Sequence, residues 1–256
     1  MDTKANNHFL SLIIPVFRQE NTIVSNLRQI TKVMEKIRYD HEIIVVIDGM
    51  VDNSYKKIKE AKIPKVKTIT YKKNQGKAWA LRLGLGNARG DYAMFIDSGS
   101  EIDPNGISML LEHMEWYNAD IIVGSKRHPA SYIHYPLDRM IFSYGYYFLV
   151  KLLFGLKVRD TQAGIKIFRK TVLEKILPRL LEKKFAGDLE MLVAARSMGF
   201  TRIYEAPIKM DYELSPLTSA ATIRSIVGLF IDTMALFYRT HILHYYKPSK
   251  NSKKIV

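Results

Sequence analysis

An α/β fold, with a mostly parallel sheet flanked by helices, is predicted for this chain on three observations. Short, continuous apolar runs alternate with segments of helical period. These runs do not switch polar and apolar residue by residue, so each reads as a strand covered on both faces. Strand and helix follow one another as in repeated β-α-β units.

Taken in order, residues 9–17 are an apolar strand. Asn21 and Thr22 then cap a helix whose apolar face is Ile23, Leu27, Ile30, Val33/Met34 and Ile37, the 3-and-4 spacing of an amphipathic helix. Residues 42–47 form a second buried strand, followed by an acidic turn at Asp48 and Asp52 and a short helix over 53–61. Residues 66–71 are a third strand. Lys73-Asn74-Gln75-Gly76 turns into a helix carrying Ala78, Leu81, Leu85 and Ala88; Gly90 punctuates, and 91–96 is the next strand. A helix over 104–117 and a strand over 119–123 complete the regular alternation. The segment 128–136, bracketed by Pro129 and Pro136, is a long irregular loop of the length usually kept for lids and binding loops.

Composition bounds the function without choosing it. The chain has 256 residues, of which 47% are hydrophobic, ample for a folded core. It has no cysteine, which excludes disulfides, thiolate metal sites and cysteine nucleophiles, and fits a reducing compartment. Its net charge of +14 favours phosphate-rich partners, whether nucleic acid, anionic lipid or nucleotide sugar. Nucleic acid is disfavoured, because the aromatics gather in apolar helical stretches instead of interleaving with basic residues on strands. The polar N-terminus is no signal peptide. Residues 139–157 and 224–239 are apolar and aromatic-rich, but Lys151 and Asp232 interrupt them before the about 20 apolar residues that a spanning helix needs. Both segments suit a membrane interface, and from residue 217 onward six basic residues stand against one acid. The alternative is a helix packed on the domain with a solvated basic tail.

The run Tyr92-Ala93-Met94-Phe95-Ile96 ends in Asp97, Glu101 and Asp103. Open α/β sheets bind ligands beyond the carboxyl ends of their strands, and carboxylates there suit Mg²⁺ or Mn²⁺, ions that clamp nucleotide phosphates. The plainer reading is a strand and a solvated turn, with Asp103-Pro104 opening a helix.

Several stretches together resemble family 2 glycosyltransferases of the GT-A type. They are Ile13-Ile14-Pro15-Val16-Phe17, the 42–49 run with Asp52, Asn74-Gln75-Gly76-Lys77 leading to Gly84, and Gly90-Asp91 with the Asp97 cluster. Ile121 to Arg127, Arg159 to Arg169 and Phe185 to Glu190 are similar to the branch that glycosylates polyprenyl phosphates, the dolichyl-phosphate glucose and mannose synthases. The similarity covers roughly residues 9–213, and Asp160-Thr161-Gln162 with Gly164 and Lys166-Ile167-Phe168 is its most specific part.

The resemblance implies a Rossmann-like GT-A sheet followed by C-terminal amphipathic helices. It divides the chain into a glycosyltransferase domain over 1–213, a membrane-associated helical segment over 214–246 and a basic disordered tail over 247–256. Within the first part, 9–125 is the nucleotide-sugar half and 126–213 the acceptor half. The implied reaction is inverting transfer of a hexose from a UDP- or GDP-sugar to a polyprenyl phosphate, at the cytoplasmic face of a membrane. Pro15, Phe17, Gln19, Asp48, Asn74, Lys77 and Asp97 are implied for the donor, with Asp48 accepting from a base N–H. Asp97 and Glu101 are implied for a divalent cation, Mg²⁺ or Mn²⁺, with Asp103 as a helix cap.

For the acceptor phosphate, suitable cations are Arg127, Arg139, Lys157, Arg159 and Lys166, of which Arg127 and Arg139 are preferred because a guanidinium grips phosphate with two donors. Asp160 and Gln162 orient that region. Asp188 matches the family position near the acceptor and, with Asp97 and Arg127, completes the catalytic candidates. Asp188 and Glu190, two residues apart, diverge by about 200° on a helix and cannot face one site. The chain departs from the family pattern at Gly99, where a second acid is usual, and at Ile47, Arg18-Gln19 and Gly187. These departures keep two alternatives open: a glycan, lipid or protein hydroxyl acceptor, or a non-catalytic nucleotide-sugar-binding protein.

Overall fold

The computed structural model describes residues 8–99, 101–134, 137–184, 186–211 and 223–247, without the side chains of 134–142 and 223–225. Strands β1 (Phe9–Val16), β2 (Asp40–Ile47), β3 (Val66–Thr70), β4 (Tyr92–Ile96) and β5 (Ile121–Ser125) lie where the apolar runs place them. They alternate with α1 (Ile23–Met34), α2 (Ser54–Ala61), α3 (Lys77–Gly86) and α4 (Gly106–Trp116). Next come β6 (Tyr132–His134), α5 (Leu137–Phe154), β7 (Ile165–Arg169), α6 (Lys170–Ile176), α7 (Gly187–Ser197), β8 (Ile203–Pro207), β9 (Lys209–Asp211) and α8 (Ile223–Phe237). A π-helical turn at Tyr238–Ile242 follows α8.

The main sheet has seven strands in the order β3-β2-β1-β4-β7-β5-β8. All pairings are parallel except those of β7, which runs antiparallel between β4 and β5. Strand residues point alternately into two cores. Leu12, Ile14, Val45 and Met94 pack on one side with α1 and α4. Ile13, Val46, Phe95 and Val123 pack on the other with α3, α5, α6, α7 and α8. Strand order reverses between β1 and β4, the switch point at which such sheets open a ligand crevice at their carboxyl edge.

Three local expectations are corrected. Thr22 occupies the N-cap of α1, yet its hydroxyl donates to Gln19 Oε1 (2.6 Å) and makes no cap bond. Asp103 does not cap α4, whose N-cap is Asn105; it accepts from Asn105 N (2.9 Å) in a turn before the helix. The segment 128–136 is not wholly a loop, since β6 within it pairs in parallel with β9. Backbone bonds from Asp103 N to Lys209 O (3.0 Å) and from Asp211 N to Glu101 O (2.9 Å) join that ribbon to the acidic turn after β4.

Candidate functional site

The carboxyl edge collects the acidic residues because each ends a strand or begins a helix. Asp48 follows β2 and is buried; its carboxylate accepts from Tyr71 Oη (2.9 Å), Asn74 Nδ2 (2.8 Å), Gln75 N (2.7 Å) and Gly76 N (3.0 Å). Burial raises the Tyr71 pKa well above its usual value, and the hydrogen bond to Asp48 adds to that. Four donors fill the lone pairs of one carboxylate. Asp48 therefore organises the turn 74–76, a correction to its expected place as a free acceptor for a base N–H. Gly76 is required there: its φ is +101°, and an added Cβ would lie 2.2 Å from Lys183 O.

That turn aims Lys77, the first residue of α3, at the crevice. Its ammonium lies 2.8 Å from Asp97 Oδ1, 3.0 Å from Asp97 Oδ2 and 3.4 Å from Asp188 Oδ2. Burial works against this cation, but Asp188 and Asp97 outweigh it and raise its pKa. Asp97 is fixed from behind. Its N–H donates to Gly164 O (2.8 Å), and a Cβ on Gly164 would fall 2.1 Å from Asp97 Oδ2. Asp97 Oδ1 is covered from solvent, with the Lys77 ammonium as the cation beside it.

Asp188 lies in the first turn of α7 and is buried. Its Oδ1 accepts from Lys166 Nζ at 2.6 Å, and Lys166 also donates to Ala163 O (2.6 Å). Lys166 is wholly buried; burial lowers its pKa, and Asp188 opposes the shift only in part. The expectation that Lys166 is free for an acceptor phosphate is thus corrected. Burial by itself would raise the Asp188 pKa, yet Lys166 and Lys77 hold it below the usual carboxylate range. Glu190 turns away as its spacing requires, accepting from Leu181 N (3.0 Å), Glu182 N (2.9 Å) and the buried Tyr246 hydroxyl. Gly187 is met by α3: a Cβ there would lie 2.2 Å from Ala78 Cβ.

The acceptor candidates form a second group. Asp160 is buried and accepts from Lys126 N (3.0 Å) and Gln162 N (3.3 Å), locking the end of β5 to the 160–162 turn. Gln162 Nε2 is buried. Arg127 donates to the carbonyls of Arg159 and Ser143 and lies over the Tyr144 ring (5.0 Å) and the Tyr147 ring (5.3 Å). It thereby ties β5 to α5. The side chain of Arg139 lies outside the described residues. Pro15 is buried in β1, Phe17 is exposed beyond it under the Arg18 guanidinium (5.2 Å), and Gln19 Oε1 is taken by Thr22. Glu101 flanks the acidic turn; among the described residues no three histidine, aspartate or glutamate side chains converge as a metal cluster.

Sequence reasoning missed Tyr71 as the partner of Asp48, and Glu205, whose carboxylate accepts from Arg159 N (2.7 Å) and Asp160 N (3.1 Å). Neither has a local signal. The pairing of Lys166 with Asp188 had one, a lysine placed inside an otherwise apolar run.

Beside this group, α5 and α8 pack through Tyr146 Oη and Thr233 Oγ1 (3.1 Å) and through Phe154 and Phe237. Outward they expose Phe148, Leu152, Val227, Phe230 and Ile231. No described helix is long and apolar enough to cross a membrane.

Known proteins bear on this geometry. A dolichyl-phosphate β-glucosyltransferase of Drosophila melanogaster is 30% identical over 207 residues, covering 74% of this chain and 63% of that protein. The Homo sapiens protein of the same name is 28% identical over 219 residues, covering 79% and 67%. A UDP-N-acetylglucosamine–dolichyl-phosphate N-acetylglucosaminyltransferase of Methanococcus voltae is 28% identical over 219 residues, covering 78% and 85%. The chain thus spans somewhat under two thirds of the Drosophila and Dictyostelium discoideum dolichyl-phosphate β-glucosyltransferases, 63% and 64%. Among solved structures, the glucosyl-3-phosphoglycerate synthase of Mycobacterium tuberculosis, crystallised with Mn²⁺, UDP-glucose and phosphoglyceric acid, superposes with a TM-score of 0.69 at 13% identity, covering 95% of this chain and 82% of that one. At that identity the likeness shows the fold, an α/β sheet of the GT-A kind. The glycosyl transferase family 2 model matches residues 11–177, from β1 past α6, taking in Lys77, Asp97, Arg127 and Asp160 but ending before Asp188, and the chain belongs to that family.

Proposed function

We propose that the protein transfers a hexose, with inversion, from a UDP- or GDP-sugar to a polyprenyl phosphate at a membrane surface. The observation that carries this reading is the Lys77, Asp97 and Asp188 cluster at the carboxyl edge of the sheet. Dolichyl-phosphate glycosyltransferases among the relatives support it. The donor base and ribose lie over Pro15, Phe17, Gln19 and Asn74, and the diphosphate lies against Lys77 and the amino end of α3, where backbone N–H groups favour anions.

The residues fit a divalent cation held by few protein ligands. Asp97 Oδ1 is a hard oxygen paired only with the Lys77 ammonium, Glu101 is the next carboxylate, and Mg²⁺ typically takes one or two carboxylates with substrate phosphates completing its shell. Asp97 and Glu101 would hold Mg²⁺ or Mn²⁺, which supplies positive charge to the leaving diphosphate. In the transfer, an acceptor phosphate oxygen bonds to the anomeric carbon as that carbon's bond to the diphosphate oxygen breaks, and the nucleoside diphosphate leaves with the electron pair. No proton has to move. Asp188 suits this role: paired with two ammonium groups and held below the usual carboxylate range, it is a poor base for a hydroxyl acceptor. It positions Lys77. Arg127 and Arg139 receive the lipid phosphate, with Asp160 and Gln162 shaping the turn beside them.

Residues 9–125 serve as the donor half and 126–213 as the acceptor half. Within the segment 214–246, α8 lies beside α5 on the cytoplasmic face of an anionic membrane; residues 214–222 and the basic tail from 248 onward fall outside the described residues. Nucleotide release from UDP- and GDP-hexoses, measured with Mn²⁺ and with or without polyprenyl phosphate, tests the reaction. Release should require the lipid phosphate and fall about 100-fold or more in Asp97→Ala. Equal release with a dephosphorylated polyprenol or a free glycan overturns the reading.

A further inference from the structure

Lys77 and a divalent ion need the same oxygens. The ammonium stands 2.8 Å and 3.0 Å from the two Asp97 oxygens, and an Mg²⁺ or Mn²⁺ ion on Asp97 would bind about 2.1 Å from one of them. Two cations on one carboxylate, a few ångströms apart in a half-buried crevice, repel strongly. Asp188 offers no second full negative charge, because Lys166 already neutralises it at 2.6 Å. Gly164 backs Asp97 closely on one side.

Lys77 itself can move. Its charge rides on a flexible four-carbon stem, and its side chain is 36% exposed. From these contacts we infer that Lys77 is an exchangeable counter-ion: it holds Asp97 until a nucleoside diphosphate arrives, then passes to the diphosphate and leaves Asp97 to the divalent ion. This rests on the reading of Asp97 as a cation ligand in a donor site. The consequence is positive coupling between nucleotide and ion, reciprocal by linkage. Each phosphate oxygen that accepts the ammonium frees a carboxylate oxygen for the metal, so the pair binds better than either alone. Asp188, fixed by Lys166, serves as the second post that keeps Lys77 within reach of both partners.

The test is Mn²⁺ binding by the full chain, read by the electron paramagnetic resonance of free Mn²⁺, without nucleotide and with saturating UDP or GDP. Wild-type protein should bind Mn²⁺ at least tenfold more tightly with nucleotide. In Lys77→Met, Mn²⁺ alone should bind about tenfold more tightly than to wild type, and the gain from nucleotide should shrink. Lys77→Arg, which keeps the charge, should stay close to wild type. A Lys77→Met protein that melts like wild type and binds Mn²⁺ alone no better overturns the inference while leaving the donor site standing. If Lys77→Met does not fold, wild type still decides: Mn²⁺ affinity indifferent to both nucleotides overturns it. Absence of Mn²⁺ binding with either nucleotide removes the cation site itself, and this inference with it.

Discussion

At the amino ends of the parallel strands, Glu42 accepts from Ser11 Oγ (2.8 Å), Lys67 Nζ (2.8 Å) and the Arg89 guanidinium (3.1 Å). At their carboxyl ends, both oxygens of Asp97 share the single ammonium of Lys77, and Asp188 is gripped by two lysines. Both ends bury carboxylates among cations in one sheet, but only the second leaves acceptor capacity over and places it at the switch point. A saturated cluster has nothing more to bind and contributes to stability. An unsaturated one is costly unless a ligand completes it, which makes it the better candidate for function.

The largest effect should come from moving the unsaturated carboxylate without touching its chemistry. Gly164→Ala places a methyl group in the space of Asp97 Oδ2, and sugar transfer should fall by about 100-fold with little change in melting temperature. Wild-type activity in that variant would show that the position of Asp97 does not matter, and would erase the contrast between the two ends.

A middle-sized effect is expected at the apolar face of α5 and α8. Replacing Phe148 and Phe230, 63% and 50% exposed, by serine should weaken sedimentation with phosphatidylserine vesicles about tenfold or more while leaving nucleotide binding intact. High salt should partly strip the wild-type protein, because screening acts within about 10 Å at 0.1 M salt. Unchanged sedimentation would mean that another surface meets the lipid.

The smallest kinetic effect belongs to the amino end. Burial alone would raise the Glu42 pKa, but Lys67, Arg89 and Ser11 outweigh it and bring it from 4.5 to about 2. A depressed carboxylate stabilises the fold fully above its unfolded pKa and loses that contribution as pH falls through the folded one. Glu42→Gln should therefore cost about 1–3 kcal/mol of unfolding free energy at pH 7, with the gap to wild type closing between pH 4.5 and 2 and kcat/KM unchanged. A matching loss of activity would show that the two ends are not independent.

Much of the fold was legible because β1, β2, β4 and β5 are continuous apolar runs bounded by acids and glycine. β7 was not assigned, since Ile165-Lys166-Ile167-Phe168-Arg169 carries a lysine in its middle and its antiparallel place depends on β4 and β5. β6 and β9 are three residues each, too short for any period. The site was legible as types of residue at strand ends. Its pairings were not, because Lys77 with Asp188 and Arg127 with Ser143 depend on the approach of distant elements. Asp48 was read as a ligand contact because its filled lone pairs come from the next βα turn and from Tyr71, which no spacing announces.

Glu190 has a practical consequence for anyone seeking a soluble version of this protein. Trimming before α8 would remove the exposed apolar face, but it would also take away the Tyr246 hydroxyl from Glu190 and the Arg239 guanidinium from Glu182. A buried carboxylate two residues from Asp188 would lose its capping donor, and the segment whose carbonyl at Lys183 abuts Gly76 would lose its tether. Solubility is better sought by polar substitutions on the outward side of α8, with its inner side and the Tyr246 anchor kept in place.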